Sequence, residues 1–363
     1  MTARSRFNIG MIGTGFIARA HANAFHQVAR FFETPLELST RVVCGRNRDR
    51  VEAFRRQWGW EEAATEWESI VARPDIQIVD IAVPNALHKP IALAAAAAGK
   101  MVFCEKPLGL TLEEAKQMAE AVRGLPNLVW FNYRRVPAVR FARQLIEEDR
   151  IGQVFHYRAH YFNQSGTDPA KGQTWRYRRA QAGSGAMGDL LSHSLDTAVY
   201  LNGPIHELSA MTHTFIPGRE VDDAVTAMAR FSNGSLGSFE ASRFGVGRRN
   251  GNGFEMYGSK GSLHFDFEDM NRLWFFDATE APELEGARNL LVTGPNHPYS
   301  ANFWKPGHPL GFEHTFIATV ADFLDALAKN EAFHPNFEDA LSTEHLLNAI
   351  ESSAASGQWI SLA

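Results

Sequence analysis

Short apolar runs alternate with helix-like stretches over the first third of the chain. Four of the runs have the composition of buried strands, and they are Phe7–Ile12, Leu36–Cys44, Ile76–Val83 and Lys100–Cys104. The stretches with helical character are Asp49–Trp58, Ile91–Ala98 and Leu112–Arg123. Alternation of strand and helix predicts parallel strands joined by crossover helices. Ligands bind outside the carboxyl ends of such strands, so we expect the segments that follow the four strands to converge on one crevice.

The pattern changes after about residue 131. The aromatic and β-branched runs that we expect to be strands are Val154–Phe162, Ile205–Phe215, Val221–Phe231, Gly234–Phe244, Gly253–Tyr257, Ser262–Phe267 and Arg272–Phe276. Helices are expected at Pro137–Glu148, Thr315–Ala328 and Ser342–Ser353. Consecutive strands with short polar turns predict an antiparallel sheet in an α+β domain. We therefore predict an α/β protein, with a doubly wound parallel-sheet domain at residues 1–131 and an α+β domain at residues 132–363.

The composition narrows the class of protein. With 363 residues, 45% hydrophobic and 21% charged, the chain has the length of two domains and the composition of a globular protein. A net charge of −5 gives no electrostatic footprint for nucleic acid, and no run approaches the ~18 apolar residues of a membrane span. The first strand begins too close to Met1 for a signal peptide, and the spacing of Cys44 and Cys104 suggests neither a disulfide nor a zinc site. We expect a cytoplasmic protein with reduced thiols.

The first strand runs into the motif Gly13-x-Gly15-x-x-Ala18, which opens a predicted helix. Gly13 permits a tight turn, Gly15 lets the backbone approach a pyrophosphate, and Ala18 is small enough for close packing of helix on strand. The amides of Phe16 and Ile17 then lie at the helix start, where the helix dipole favours phosphate. The alternative is a tight turn that holds no ligand, because short glycine patterns also arise by chance.

A lysine between a carboxylate and a proline, in Glu105-Lys106-Pro107, follows the fourth strand. At the mouth of a nucleotide crevice, a lysine ammonium can hold a substrate hydroxyl and help to accept its proton. Pro107 restrains the backbone, and the peptide bond that precedes it can be cis. The alternative is a strand-end lysine in a surface ion pair, which is what most lysines are.

A glycine-rich loop, Gly183–Gly188, enters a predicted helix that carries Asp189, His193, Asp196 and Tyr200. Their spacing places these side chains on one stripe of the helix. An acid and an imidazole on one stripe can present general acid–base groups to a ligand, and the carboxylates can orient the histidine. Two alternatives stay open: Asp189 is only a helix N-cap, and His193 is a satisfied core histidine. We predict no metal site, because Asp189 and His193 have no identifiable third ligand.

The glycine motif, Glu-Lys-Pro and Asp-x-x-x-His-x-x-Asp, in that order over two domains, resemble the oxidoreductase family named for glucose–fructose oxidoreductase, inositol dehydrogenase and MocA. The resemblance covers nearly the whole chain, and the segments that look like its branch with inositol and levoglucosan dehydrogenases are Phe131–Val139, Trp175-Arg176 and Ala182–Asp189. It implies a Rossmann domain followed by a domain with a large open, mostly antiparallel sheet. The chain departs from the family pattern at Phe162-Asn163-Gln164 and at Leu191, where many members have glycine. These departures bear on the substrate more than on the chemistry.

The resemblance also implies roles for single residues. The positions that match the cofactor-binding segments of the family, from the pyrophosphate loop to the nicotinamide ribose, are Gly13, Gly15, Ala18, Pro84, Asn85, His88 and Glu105. Lys106, Asp189 and His193 match the lysine, aspartate and histidine that handle the substrate hydroxyl in members resembling inositol dehydrogenase. Trp175 and Arg176 match a loop that often approaches cofactor or substrate.

The activity implied is an NAD(P)-dependent dehydrogenase that acts on a secondary hydroxyl of a sugar, an anhydrosugar or an inositol-like cyclic polyol. In this interpretation His193, assisted by Lys106, takes the hydroxyl proton, while Asp189 holds the substrate and orients the histidine. One alternative is a glycosidase that uses a retained NAD for an oxidation–elimination route. The other is a family member that senses a nucleotide without catalysis, and the presence of Lys106 and His193 argues against it.

The end of the second strand bears on the choice of cofactor. NAD-binding sheets usually place an acid there, whereas an arginine accommodates the 2′-phosphate of NADP. This chain has Gly45-Arg46-Asn47-Arg48, with no acid before Asp49. We expect NADP to be accepted and slightly preferred, with Arg46 in the cofactor site. In the alternative, Arg46 stacks on the adenine and Asn47 bonds the ribose, which leaves NAD workable.

The expected partners are a small sugar or polyol substrate and further copies of the chain. The sheet of the second domain can be covered on one face only by its own helices, which leaves an apolar surface. The resemblance implies the same, because that sheet often forms dimer or tetramer contacts in the family. We therefore expect a homodimer or homotetramer.

Overall fold

A computed structural model describes residues 5–168 and 174–362 of the chain. Their contacts divide into two compact units, Met1–Asn132 with Phe312–Ser342, and Tyr133–Gly311 with Thr343–Ala363. This division differs from the predicted domains 1–131 and 132–363, because Phe312–Ser342 packs with the first unit. The physical reason is the apolar face of the helix that begins at Phe312, which is buried against the first helix of the chain.

The first unit is built on a parallel sheet. Its strands are β1 (Arg6–Ile12), β2 (Glu37–Cys44), β3 (Glu62–Ala64), β4 (Ile78–Ile81), β5 (Met101–Cys104) and β6 (Asn127–Val129). The helices of this unit are α1 (Phe16–Phe31), α2 (Arg48–Gln57), α3 (Trp67–Val71), α4 (His88–Ala97), α5 (Leu112–Ala121) and α10 (Phe312–Lys329). The strand order β3-β2-β1-β4-β5-β6 is that of a doubly wound dinucleotide-binding fold, which confirms the predicted class.

The second unit is built on a nine-stranded sheet. The strands are β7 (Val154–Phe162), β8 (Ile205–His213), β9 (Ala224–Phe231), β10 (Leu236–Ser242), β11 (Gly251–Gly258), β12 (Gly261–Asp266), β13 (Arg272–Asp277), β14 (Arg288–Leu291) and β15 (Ile360–Ser361). The helices are α6 (Pro137–Glu147), α7 (Arg179–Ala182), α8 (Ser192–Asn202) and α9 (Ser300–Phe303). The sheet order is β14-β13-β12-β11-β7-β10-β9-β8-β15, and α11 (Phe337–Ser356) is shared between the two units.

The prediction of a mostly antiparallel second sheet is confirmed, with one exception. Strands β7 and β10 pair in parallel, whereas the other pairs of this sheet are antiparallel. Between β7 and β10 the chain passes through α7, α8, β8 and β9. This long crossover connection lets β7 and β10 run in the same direction. Three strands that were not predicted, β3, β6 and β15, are two or three residues long, which is too short for a periodic pattern.

Within the described residues, one face of the second sheet carries helices and the other presents exposed side chains. Helices α6 and α8 pack on strands β13 and β7 within this unit. Cross-strand pairing aligns Met228, Ser238 and Arg158 in one row, and Glu255, His264 and Trp274 continue it, so these side chains point to a common, outward face. The large apolar side chains exposed on this face are Met211, Met228, Leu236, Tyr257, Trp274 and Leu291.

The described residues contain no helix that is both long enough and apolar enough to cross a membrane. They also contain no group of three or more histidine, cysteine, aspartate or glutamate side chains that could hold a metal ion.

Candidate functional site

The carboxyl ends of the parallel strands stand level with one another. Ile12 of β1 pairs with Cys44 and with Ile81, Ile81 pairs with Cys104, and Cys104 pairs with Val129. The residue after each strand is then held by a backbone hydrogen bond to a neighbouring strand, as in the 2.9 Å bond from Gly13 N to the Cys44 carbonyl. Four of the segments singled out from the sequence therefore lie on one edge of this sheet.

The glycine loop between β1 and α1 fits a pyrophosphate. A Cβ on Gly13 would lie 2.1 Å from the Ala82 carbonyl oxygen, so the close approach of the two strand ends requires glycine there. A Cβ on Gly15 would meet nothing within 4 Å, and no side chain caps the amides at the start of α1. Open space in front of an uncapped sixteen-residue helix suits a bound anion. Phe16 and Ile17 begin that helix, and the exposed Phe16 ring stacks on Phe312 at 6.1 Å.

Arginines surround the end of β2. Arg46 is exposed directly after Gly45. Asn47 is the N-cap of α2, where its side-chain oxygen accepts a 2.9 Å hydrogen bond from the Arg50 amide. The guanidinium of Arg50 donates to the Thr14 carbonyl oxygen at 3.3 Å, which brings this cation to the glycine loop. Arg50 was not predicted from the sequence, because it lies within α2 and only its side chain reaches back to the glycine loop.

The segment after β4 is tied to the segment after β5 by a histidine. Pro84 precedes a short 3₁₀ turn, Asn85–Leu87, and α4 begins at His88. The His88 ring is fully buried, with Nε2 3.0 Å from the Val83 carbonyl oxygen and Nδ1 3.1 Å from the Pro107 carbonyl oxygen. Burial lowers the pKa of His88 and outweighs these carbonyl contacts, so the ring is neutral. His88 supports the edge by joining two loops, while Pro84 and Asn85 form the loop itself.

Glu105 and Lys106 follow β5, and the peptide bond between Lys106 and Pro107 is cis, as the sequence allowed. The Glu105 carboxylate is almost fully buried, and its Oε2 accepts a 3.1 Å hydrogen bond from the Lys106 amide. Its Oε1 lies 3.1 Å from Nε2 of His21, a histidine of α1. Lys106 itself is half-buried.

His21 lies between two buried carboxylates. Its Nδ1 is 2.9 Å from Asp80 Oδ2, and Asp80 Oδ1 accepts a 2.9 Å hydrogen bond from the Trp130 indole. The Trp130 ring also stacks on the imidazole, with ring centroids 4.0 Å apart. Desolvation by burial opposes the charged form of His21, but Asp80 and Glu105 outweigh it and raise the pKa to about 9. His21 is therefore an imidazolium at neutral pH, a feature that no sequence motif indicated.

In the second unit, Asp189 lies in a π-helical turn, Met187–Leu191, so the α-helix predicted through this position is wrong there. Turns of this kind are frequent at functional sites. Asp189 is one-third exposed, and its Oδ2 accepts a 3.0 Å hydrogen bond from the guanidinium of Arg243, which is buried. Asp189 is thus anchored by a charge rather than acting as a helix N-cap.

Asp222 holds the loop that leads into this turn. Its carboxylate accepts hydrogen bonds from the amides of Gly185 and Met187, at 2.6 and 2.7 Å. Burial raises the pKa of Asp222 despite these bonds and the nearby Arg243. A Cβ on Gly185 would lie 1.8 Å from the Asp222 carbonyl oxygen, so the loop can approach this closely only with glycine at that position.

His193 is buried in an aromatic wall of the second unit. Its ring stacks on Tyr133 with centroids 4.3 Å apart, and the Tyr161 ring is tilted against it at 6.1 Å. The Tyr133 and Tyr161 hydroxyls are 3.1 Å apart, and the Tyr161 hydroxyl donates to Asn250 Oδ1 at 2.6 Å. Burial raises the pKa of Tyr161 well above its ordinary value, so its phenol stays neutral. The wall combines an imidazole, two phenols and an amide.

The stripe predicted from Asp189 to Tyr200 does not act as one surface. Asp196 is buried in a two-point ion pair with Arg134, at 2.9 and 2.6 Å. The Tyr200 ring lies under the guanidinium groups of Arg134 and Arg143. The second half of the stripe therefore packs α8 against its own unit, and only Asp189 and His193 remain candidates for chemistry.

Trp175 and Arg176 form a 3₁₀ turn, Trp175–Tyr177, in the same unit as Asp189. The exposed Arg176 guanidinium lies over the Trp175 ring at 4.7 Å. Arg243 joins this turn to Asp189, because its second guanidinium nitrogen donates to the Arg176 carbonyl oxygen at 3.4 Å. The structure thus brings Trp175, Arg176 and Asp189 together around one buried arginine.

Comparison with known proteins agrees with this geometry. Residues 7–133 match the family model of the GFO/IDH/MocA oxidoreductases with an NAD-binding Rossmann fold, and residues 139–264 match the model of a GFO/IDH/MocA C-terminal domain. The chain is 38% identical to levoglucosan dehydrogenase of Pseudarthrobacter phenanthrenivorans, over 97% of each chain.

Solved structures agree in fold over nearly the whole length. An oxidoreductase domain protein from Kribbella flavida is 43% identical, with a TM-score of 0.96 over 99% of this chain and 100% of that one. A levoglucosan dehydrogenase in complex with NADH and levoglucosan is 38% identical, with a TM-score of 0.97 over 99% of this chain and 100% of that one. Given the glycine loop, the level strand ends and these matches, the chain belongs to the GFO/IDH/MocA family of NAD-binding oxidoreductases.

Proposed function

We propose that the protein oxidises a secondary hydroxyl of a sugar, an anhydrosugar or a cyclic polyol, with levoglucosan as the first candidate. The observation that carries this proposal is the polar wall of the second unit, where His193 stands beside Tyr133 and Tyr161 and the Asp189 carboxylate interacts electrostatically with Tyr161. Several oriented donors and acceptors in one place suit a ligand with many hydroxyls. The full-length similarity to a levoglucosan dehydrogenase supports the same class of substrate.

In the proposed chemistry the residues of the chain hold the substrate and move its proton. A bound nicotinamide supplies the hydride acceptor. His193 takes the proton of the reacting hydroxyl, and the Lys106 ammonium holds the oxygen and stabilises the negative charge that develops on it. Asp189, fixed by Arg243, accepts a hydrogen bond from a substrate hydroxyl and keeps the ligand oriented against His193.

A substrate panel tests the proposed class directly. Levoglucosan, L-sorbose, monosaccharides, inositols and a glycoside are each incubated with enzyme and oxidised cofactor, and nicotinamide absorbance is followed. We expect oxidation of at least one member that has a free secondary ring hydroxyl. Turnover of the glycoside with no net change in absorbance would instead support the retained-cofactor glycosidase, and no turnover of any member would contradict the proposal.

Replacement of the two proton-handling residues is expected to give different kinetic losses. His193→Ala removes the proposed base and should lower kcat by about 10²–10⁴-fold. Lys106→Ala removes a cation that holds the hydroxyl, so it should lower kcat and raise the substrate KM together. Steady-state kinetics with the best substrate of the panel measures both effects.

The matched controls for this pair are His308→Ala and Lys116→Ala, since both side chains are exposed and lie outside the proposed site. These variants should keep the kinetics of the parent enzyme. Near-normal kcat in His193→Ala together with lost turnover in Lys106→Ala would make the lysine alone the base. Full activity in both variants would place the chemistry elsewhere.

For the choice of cofactor, we infer that NADP(H) is accepted as well as NAD(H). The absence of an acid between β2 and Asp49, the exposed Arg46 and the Arg50 guanidinium at the glycine loop support binding of a 2′-phosphate. The relative solved with NADH supports use of NAD(H).

Fluorescence titration of the enzyme with each reduced cofactor measures this choice. We expect the Kd for NADPH to be at or below that for NADH, and Arg46→Ala to raise the NADPH value more than the NADH value. Lys116→Ala serves again as the control for a lost surface cation. NADH binding that is tighter than NADPH binding by about tenfold, or ~1.4 kcal/mol, would contradict the inference.

For assembly, we propose that the outward face of the second sheet forms a contact between copies of the chain. A monomer rarely leaves a large contiguous apolar patch exposed on one face. A shallow cavity of about 260 Å³ lies on this face, with Tyr257, Trp274 and Phe276 among its lining residues. An isologous contact of this face with its own copy would cover it and would generate a dimer.

Light scattering at micromolar concentration measures the assembly. We expect the mass of a dimer or tetramer for the parent protein and a smaller species for Trp274→Glu, because a carboxylate on the outward face is costly to bury. Leu284→Glu is the control, since Leu284 is exposed in a 3₁₀ turn, Pro282–Leu284, that belongs to no strand of the sheet. A monomeric parent protein would overturn the proposal.

A further inference from the structure

A continuous buried chain of polar contacts ends at the lysine of the first unit. It runs from the Trp130 indole to Asp80, from Asp80 to His21, from His21 to Glu105, and from Glu105 to the Lys106 amide. Asp80 and His21 are fully buried, and the Glu105 carboxylate is nearly so. Every step in this chain lies within the first unit.

We propose that His21 is a positioning residue, whose imidazolium holds the Glu105 carboxylate in place and thereby fixes the backbone of Lys106. This inference deepens the proposed function, because it explains how the lysine at the strand edge keeps its orientation. His21 touches neither substrate nor reacting atoms in this proposal and acts only through Glu105.

The protonation state of the imidazole decides whether the arrangement holds. A neutral imidazole has one N–H, so it can donate to Asp80 or to Glu105 but not to both. The imidazolium donates to both carboxylates at once and balances part of their charge in a site where water cannot. Without that cation, one of the two buried carboxylates would take up a proton or turn away from its partner.

The surroundings of His21 favour the cation over a range of pH. The charged groups that face it are Asp80 from β4 and Glu105 from the end of β5, while Trp130 and Phe316 of α10 cover the ring. His88 on α4, which also interacts with Glu105, stays neutral because burial lowers its pKa. The pKa of His21 is raised from 6.5 to about 9, so its charge stabilises the folded unit fully below pH 6.5 and is lost as pH rises through about 9.

Two substitutions at His21 distinguish its contact with Asp80 from its contact with Glu105. The amide nitrogen of an asparagine occupies roughly the place of Nδ1, and that of a glutamine roughly the place of Nε2. His21→Asn therefore keeps a donor to Asp80 and loses the one to Glu105, whereas His21→Gln keeps a donor to Glu105. His26→Asn is the matched control, because His26 is an exposed histidine of the same helix and lies outside this chain of contacts.

The readouts are the Kd for NADH, measured by fluorescence without substrate, and then kcat and KM. We expect His21→Asn to weaken NADH binding by about tenfold, the size of one lost hydrogen bond to a charged group, and to lower kcat. His21→Gln should lose clearly less, and His26→Asn should stay near the parent enzyme. Equal losses in His21→Asn and His21→Gln, or a loss as large in His26→Asn, would overturn the proposal in favour of a general packing role.

A measurement on the unsubstituted protein keeps the proposal testable if a variant fails to fold. Histidine-selective NMR of the cofactor-free protein should show one imidazole that stays protonated until pH 9, and NADH affinity should fall with the same midpoint. A His21 signal that titrates near 6.5, or NADH affinity that is flat through pH 9, would contradict the proposal. NADH binding needs no sugar. If NADH affinity falls near pH 9 as expected but no member of the substrate panel is oxidised, the result counts against the proposed function alone.

Discussion

The level alignment of strand ends in the parallel sheet is the constraint on which the cofactor side of this protein depends. Ile12, Ile81 and Cys104 pair across β1, β4 and β5, so the residues that follow them leave the sheet side by side. That alignment lets His21, one turn into α1, stand between Asp80 of β4 and Glu105 after β5. A shift of one strand by one residue would turn its buried side chains to the opposite face and would separate the two carboxylates from the imidazole. The same alignment leaves the uncapped start of α1 open above the sheet edge.

In the second unit, buried arginines fix the positions of two aspartates of one helical segment. They explain why these two aspartates differ in exposure. Asp189 and Asp196 are seven residues apart in sequence. Arg134 donates two hydrogen bonds to Asp196, and both side chains are buried. Arg243 is also buried, but the Asp189 carboxylate that accepts its hydrogen bond stays one-third exposed. Arg243 also bonds the carbonyl of Arg176, so one buried cation sets both the acid and the neighbouring turn. The first aspartate is thus part-exposed, whereas the second is buried and stabilises the fold.

The sequence predicted the order of strands and helices and the glycine loop, and it allowed the cis bond at Pro107, because each of these leaves a local pattern. Contacts between distant residues leave none: His21 and Asp80 are 59 positions apart, and Asp189 and Arg243 are 54 apart. The helical period of Asp189, His193, Asp196 and Tyr200 was real, but a π turn and the pairing of Asp196 with Arg134 broke the predicted stripe. The association of Phe312–Ser342 with the first unit likewise depends on tertiary packing that no local pattern encodes.

The most direct measurement follows a deuterium label from the substrate to the cofactor. The best substrate of the panel is prepared with deuterium at its carbinol carbons. It is oxidised by this enzyme alone, with no coupling enzyme, in the presence of excess oxidised nicotinamide cofactor. Direct hydride transfer from the carbinol predicts a slowed turnover and one deuterium at the reactive carbon of the reduced nicotinamide, found by NMR in the bulk cofactor. Turnover that leaves the bulk cofactor oxidised and free of label would contradict a dehydrogenase and would indicate chemistry on a retained cofactor instead.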